Sequence, residues 1–277
     1  MPTYLHLVRH AQGHHNLHPD NHVLPDPDLT PLGIEQCARL RQAFPYHDKV
    51  THLVASPLKR TLKTCLLAFG DGDGKDGGEG NRKERVIALP EIQEISPLPC
   101  DVGSPVENLA AEFGESVDLS LVEAIGPGAA WTDKRSKDSP FVPSAARLEA
   151  RARKARVFLR KLGRDVQQQQ QQQEGKDAHI VVVTHGGFLH FLTQDFDGVD
   201  VQAGTGWGNC EWRMYEFVQD EGEQGEDGEA RLRETRESWR RRRGSATGLT
   251  ETEQMELRAV MAGRLVEEWG VEEDGEV

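Results

Sequence analysis

Two runs of apolar, β-favouring residues in this chain each stop abruptly at a histidine. Near the amino terminus, Leu5-His6-Leu7-Val8 passes directly into Arg9-His10-Ala11-Gln12-Gly13-His14-His15-Asn16, and much later Ile180-Val181-Val182-Val183-Thr184 ends at His185-Gly186-Gly187. Strands that are apolar at nearly every position are covered on both faces, as the inner strands of a parallel sheet are. In such open sheets, ligands bind in the crevice beyond the carboxyl ends of the strands. The polar residues that terminate these runs therefore face a site rather than a core. A third stretch, His52-Leu53-Val54-Ala55-Ser56-Pro57-Leu58, leads from a strand into an amphipathic helix with Arg60 in its first turn.

The residue types at these three ends suit one kind of chemistry. Arg9 and Arg60 supply fixed cationic forks, His10 and His185 supply imidazoles, and Gly186-Gly187 lets backbone amides approach an anion. Between the second and third strands, Leu89-Pro90-Glu91-Ile92-Gln93-Glu94-Ile95 carries two carboxylates three residues apart. Either could serve as the proton donor for a departing oxygen. Gln12, Asn16 and Gly186 are expected to contact substrate.

The joint pattern resembles the histidine phosphatase superfamily, in its phosphoglycerate-mutase-like branch. The matching pieces are Arg9-His10 with Asn16, Leu29-Thr30-Pro31-Leu32-Gly33 with Gln36, Ser56-Pro57-Leu58 with Arg60 and Thr64, Glu94, and Thr184-His185-Gly186. They stand in the family's order and span roughly residues 3 to 218. Within the family the chain most resembles fungal members, which carry a segment like Cys100-Asp101-Val102-Gly103-Ser104-Pro105 after the acidic loop. The resemblance implies an α/β fold: a three-layer α/β/α sandwich around a mostly parallel sheet. It also implies a phosphohistidine intermediate on His10, with Arg9, Arg60 and His185 around the transferring group and Asn16 as a neutral donor. The Pro-x-x-x-Glu spacing favours Glu94 over Glu91 as the acid. No cofactor and no metal are implied. One motif position departs from the pattern: the common glycine after the catalytic histidine is Ala11, which would be strained if that position required φ > 0.

His10, His14, His15, His18 and His22 would offer zinc i, i+4 pairs if they lay on a helix. Gly13, Pro19, Asp20 and Asn21 make the stretch a loop, so no metal is expected there, and His14 and His15 are read as lining the pocket rim. His6, His52 and His179 are read as hydrogen-bonded core residues, and His190 as packing.

Composition narrows the partners. Of 277 residues, 46 are acidic and 33 basic, for a formal charge of -13. This disfavours a nucleic-acid or anionic-membrane surface, which wants a basic face. Four scattered cysteines with no C-x-x-C pair read as reduced thiols. Met1-Pro2-Thr3-Tyr4 passes straight into a strand and no long apolar window follows, so neither a secretion signal nor a membrane span is expected and the chain is assigned to the cytoplasm or nucleus. Oligomeric state is not legible.

The organisation expected is one domain over residues 1–218 and a charged linker with a helical tail over 219–277. Low-complexity insertions are expected at 70–84 and 167–177, the latter holding seven consecutive glutamines that should loop out. Helices are expected over Leu29 to Phe44, with apolar Leu32, Cys37, Leu40 and Phe44, over Pro57 to Phe69, from Ser104 with a side-chain cap, over Ser144 to Leu162, and over Gly186 to Gln194. Glu211 to Val218 should close the sheet, and the drop in apolar content after Val218 should end the compact domain. In the tail, Thr250-Glu251-Thr252-Glu253 is a capping box, and Leu257, Val260, Met261, Leu265 and Trp269 form a stripe expected to dock on the chain's own domain. Arg240 to Arg243 are read as a solvated run or as leaning over an acidic patch. Trp131 belongs either to a lid or to an ordinary surface loop.

The leading functional reading is a phosphatase acting on a small phosphorylated metabolite. A mutase would use the same residues and return the phosphoryl group to product, but the short connection before Glu94 lacks substrate-enclosing elements. A scaffold that has kept the fold is the third reading; it tends to lose part of the constellation, which here is complete.

Overall fold

The computed structural model describes residues 2–70, 85–128, 130–169, 177–199, 205–218 and 228–270. Seven strands form one sheet: β1 (Thr3–Arg9), β2 (Val50–Ala55), β3 (Val86–Ala88), β4 (Val117–Asp118), β5 (Ala178–Thr184), β6 (Trp212–Phe217) and β7 (Leu232–Glu234). Their order is β4-β3-β2-β5-β1-β6-β7. The first five are parallel, and β6 runs antiparallel to β1 and β7. All seven residues of β5, the central strand of the seven, are buried, as a strand covered on both faces must be.

Alternation along the strands divides the core in two. Val8, Leu53, Ala55, Val181 and Val183 face one layer of helices, α1 (Pro31–Ala43), α2 (Lys59–Phe69), α3 (Val106–Phe113) and the short α4 (Ser120–Glu123). Leu5, Leu7, Val54, Ile180, Val182 and Tyr215 face α5 (Ala145–Gln169), α6 (Gly186–Thr193) and α8 (Glu251–Trp269) on the other side. The expected three-layer α/β/α sandwich is therefore what the chain adopts. Helix α7 (Arg236–Arg243) lies along β6, where the Ser238 hydroxyl accepts a hydrogen bond from Met214 N. Among the described residues no helix is long and apolar enough to cross a membrane.

Local chemistry explains most boundaries. Thr30 caps α1 by accepting from Gly33 N, with Pro31 at the first helical position where its missing N–H costs nothing. Leu32, expected on the buried face, is 45% exposed; Gly33, Cys37 and Leu40 form that face instead, because Gly33 lets the loop after β1 press onto the helix. The helix after Ser104 has no side-chain cap: the Ser104 hydroxyl instead donates to Asp26. Helix α5 is longer than expected and runs through Gln167–Gln169, so the first glutamines continue the helix rather than loop out; glutamine is a fair helix former. The remaining glutamines, like 71–84 and 219–227, lie outside the described residues.

The sheet does not end where the composition falls off. Strand β7 pairs with β6 beyond residue 218, through Tyr215↔Glu234 and Phe217↔Leu232. Helix α8 opens on both hydrogen bonds of its capping box and buries Met261 and Leu265 in the same core as α5 and α6. Gln254 ties it down by accepting from Phe196 N and donating to Asp195. The arginine run leans on neighbours: Arg241 stacks on the Trp212 ring, while Arg242 and Arg243 pair with Glu234 and Asp197.

His6 and His179 share one hydrogen bond, Nε2 to Nδ1 at 3.0 Å, inside a group of rings that includes Phe44, Tyr46 and Trp212. Burial, with help from His179 and Arg241, pushes His6 down to about 3. The folded chain keeps it neutral while the unfolded chain protonates it near 6.5, so stability should fall as pH drops from 6.5 towards 3, by about 1.4 kcal/mol per pH unit for such a group. Melting curves at pH 7 and 5 should show a smaller loss for His6→Leu than for the wild type; an equal loss would mean that His6 does not titrate on unfolding.

Candidate active site

The register of three adjacent strands assembles the site. Arg9 lies opposite Thr184, and Ala55 opposite Val183, so His10, Ser56 and His185 come next in line at one edge of the sheet. Two backbone hydrogen bonds carry the ladders past the strands, His10 N to Thr184 O at 2.9 Å and Ser56 N to Val183 O at 3.0 Å. Neighbouring strands lie about 4.8 Å apart, so groups placed this way converge without any long-range adjustment. The His10 and His185 ring centroids are 5.2 Å apart.

Hydrogen bonds assign the tautomers. His10 Nδ1 lies 2.7 Å from Ala11 O, which can only accept, so Nδ1 carries the proton and Nε2 holds a lone pair facing the Arg60 Nε–H at 3.4 Å. Arg60 Nη2 donates to His185 Nδ1 at 3.0 Å, which places the His185 proton on Nε2, 2.8 Å from the Ser56 hydroxyl. Both imidazoles are held well below their ordinary range by burial and by the Arg60 charge. The result is an unprotonated nitrogen of His10 beside a permanently charged guanidinium. Arg60 reaches this position because α2 starts immediately after the β2 turn; its side chain is fully buried.

Arg9, at the end of β1, donates to Trp207 O, while its Nε–H is buried with no partner among the described residues. An orphaned cationic donor beside His10 is what an anion-binding site would carry. His15, expected at the rim, is buried against His10 at 5.5 Å between ring centroids, and burial with the Arg60 charge pushes it down to about 3.

Of the two candidate acids, the structure separates their directions. Glu91 pairs with Lys154 on α5. Glu94 sits at the amino terminus of α6, accepting from Ile95 N at 2.9 Å, Phe188 N at 3.0 Å and Gly187 N at 3.3 Å. A Cβ on Gly187 would lie 2.8 Å from Glu94 Oε1, so the second glycine of Gly186-Gly187 makes room for this carboxyl. Burial and the charge of Asp101 raise Glu94 against the lowering effect of these amides and of Arg60 and Lys134.

The remaining expected contacts are used internally. Gln12 Oε1 accepts from the Thr30 hydroxyl and its backbone amide donates to Gln36, which fastens the loop to α1. A Cβ on Gly33 would stand 2.2 Å from Gln12 O, which explains the glycine in that motif. Asn16 Oδ1 accepts from Gly13 N and closes the loop on itself. Gly186 packs its Cα against Thr205, where a Cβ would lie 2.6 Å from Cγ2. Ala11 is not in the left-handed region; its amide donates to Thr64 and its methyl is buried, so alanine fits there without strain.

Three neighbours of the site were given no role by the sequence. Asp101 takes Arg60 Nη2 at 2.6 Å, Lys134 is buried with its ammonium on the acidic loop, and Arg151 holds the carbonyls of Glu91 and Gln93. Asp101 belongs to the Cys100–Pro105 segment and Arg151 to the expected helix after Ser144, but nothing local to either, or to Lys134, says which neighbour it meets. Trp131, either lid or surface loop by sequence, is fully buried, wedged against Gly103. Among the described residues no group of three or more His, Cys, Asp or Glu side chains could hold a metal ion. A cavity of about 650 Å³ lies at the opposite end of the sheet, lined by Tyr4, Tyr46 and His179 among others, and touches none of His10, His185, Arg9, Arg60 and Glu94.

Comparison with known proteins gives the family. The chain is 30% identical over 258 residues to a phosphoglycerate mutase-like protein of Arabidopsis thaliana, covering 80% of this chain and 87% of that one. It is 42% identical to phosphoglycerate mutase-like protein 2 of the same plant, covering 77% and 74%. It is 27% identical to a glucosyl-3-phosphoglycerate phosphatase of Mycolicibacterium vanbaalenii, covering 74% and 80%. The sequence model of the histidine phosphatase superfamily (branch 1) matches residues 5–225, and the chain belongs to that superfamily.

Proposed function

We propose that the protein hydrolyses the phosphomonoester of a small metabolite through a phosphohistidine on His10. The observation that carries this reading is the single guanidinium of Arg60 in contact with both His10 Nε2 and His185 Nδ1, which gathers a nucleophile, its cationic neighbour and a second imidazole around one small space. Phosphoryl transfer needs little beyond such positioning and charge stabilisation.

The steps follow from the assigned protons. The His10 Nε2 lone pair attacks phosphorus while the ester P–O bond breaks, and Glu94 gives its proton to the departing oxygen. The longer bond of Oε2 to Gly187 N, 3.3 Å, leaves that oxygen as the one to carry the proton. Arg9, Arg60 and His185 offset the charge on the phosphoryl oxygens, with Asn16 a further donor through its amide nitrogen. Water then loses a proton to the Glu94 carboxylate and attacks phosphorus, breaking the P–N bond and releasing phosphate. His10, only 1% exposed, favours a phosphoryl group entering on a small carrier over a phosphorylated protein surface.

A chromogenic aryl phosphate in the presence of a chelator should be turned over and the reaction blocked by vanadate. Quenched in alkaline denaturant, an acid-labile, base-stable phosphoenzyme should accumulate from a labelled substrate and vanish in His10→Ala along with turnover. Turnover that survives this change, or its absence from the wild type, would favour a scaffold.

Glu94→Gln should lower kcat by roughly 10²–10⁴-fold on an alkyl phosphate, and less on a nitrophenyl phosphate whose leaving group needs no proton. Equal losses on both would remove Glu94 from the role of acid.

Because burial holds His10 and His185 well below 6.5 and raises Glu94, kcat/KM should not decline as pH falls through 6.5, and it should fall on the alkaline side as Glu94 loses its proton. A rising limb near pH 6.5 would show instead that an ordinary imidazole governs the reaction.

A further inference from the structure

Arg60 is held from behind as firmly as it faces forward. Its Nη1 donates to Cys100 O at 2.6 Å and its Nη2 to Asp101 Oδ1 at 2.6 Å, while the other Asp101 oxygen accepts from the Ser96 hydroxyl. The Lys134 ammonium then closes the segment. It donates to the carbonyls of Glu94 at 2.7 Å, Ser96 at 2.9 Å and Asp101 at 2.7 Å, so one buried amine, pushed down to about 7 by its burial and cationic below that, spans the stretch between the proposed acid and the residue that grips Arg60. Gln93 Nε2 ties the same loop to Trp131 O at 2.8 Å.

Such an arrangement is hard to explain by stability alone. A buried chain of Lys, Asp and Arg is often no more stabilising than apolar residues of the same volume, because each ion must be taken out of water. What it supplies is direction: a carboxylate at 2.6 Å fixes the plane of a guanidinium that would otherwise rotate about its long stem.

We propose that Asp101, backed by Lys134, is a positioning residue of this site, aiming the Arg60 guanidinium at His10 and His185 and placing a fixed negative charge beside Glu94. Its catalytic use rests on the phosphatase reading above. The surroundings of Glu94 make the coupling specific. Asp101 raises it, whereas Arg60 from α2 and Lys134 lower it, as do the amides of Ile95, Gly187 and Phe188; Arg9 from β1, Arg151 from α5 and the Cys100 thiol also face it. Asp101, facing Arg60, Lys134, Ser96 and His15, stays below the usual carboxylate range despite its burial. Two carboxyls pushed in opposite directions by their environments divide into a proton donor and a permanent anion.

The test is the carboxyl titration of Glu94, followed by ¹³C NMR in the full chain, together with the alkaline limb of kcat/KM for an alkyl phosphate. Removing the anion with Asp101→Asn should lower the Glu94 midpoint and move the limb to lower pH, with kcat/KM down on the order of 10–100-fold as Arg60 loses its aim. Removing the cation with Lys134→Met should raise both. A purely structural role predicts that either variant lets water in and shifts Glu94 in the same direction, and that outcome, or no shift, overturns the inference. If Lys134→Met does not fold, Asp101→Glu replaces it: the charge is kept, so only the Asn variant should lower the midpoint, and equal lowering in both overturns the inference. Opposite shifts without turnover in the wild type would sink the phosphatase reading, and the catalytic use of Asp101 with it, while same-direction shifts with turnover intact sink the Asp101 inference alone.

Discussion

The lateral register of β2, β5 and β1 is the constraint from which the site follows. Three parallel strands, hydrogen-bonded so that Ala55, Val183 and Val8 lie level, finish at the same edge, and the next residues of each have nowhere to go except the same small volume. A slip of one residue in any strand would turn its side chains to the opposite face and carry its histidine or the start of α2 away. The apolar packing on both faces of β5 is what prevents the slip, since every one of its side chains is buried and has a layer to which it belongs.

What the strands bring together would not be stable as bare charge. Arg9, Arg60 and Lys134 meet Glu94 and Asp101 in a region almost closed to solvent, and the two histidines there stay neutral because burial and the neighbouring guanidinium oppose a further positive charge. The backbone absorbs much of the rest. Glu94 rests on the first amides of α6, where the helix dipole favours a carboxylate, and Lys134 rests on three carbonyls. Glycines at 33 and 187 appear where a Cβ would collide with the Gln12 carbonyl or with the Glu94 carboxyl. The polar site is thus set by close backbone approach as much as by side-chain identity.

The carboxy-terminal segment belongs to the same construction. Strand β7 extends the sheet and α8 covers the face already occupied by α5 and α6, contributing Met261 and Leu265 to that core. Low apolar content between Val218 and β7 hid this continuity, since a three-residue edge strand reading Leu-Arg-Glu has no pattern that separates it from a linker. The capping box and the 3.6-residue stripe of α8 were legible because both are local. Which surface received the stripe was not.

The sequence by itself determined the parallel α/β frame, the three strand ends that carry Arg9, His10, Arg60 and His185, and the pair of carboxylates from which an acid had to come. These are read from runs, caps and spacings, quantities that depend only on neighbours along the chain. Tertiary structure alone showed that Glu94 rests on the first amides of α6 while Glu91 pairs with Lys154, that Gln12 and Asn16 brace their own loop, and that Asp101 and Lys134 stand behind Arg60. Asp101 and Arg60 are 41 residues apart and Lys134 and Glu94 are 40, while the Gln12 and Asn16 contacts are nearer in sequence but depend on which way a loop residue turns, and no local periodicity encodes a loop's direction.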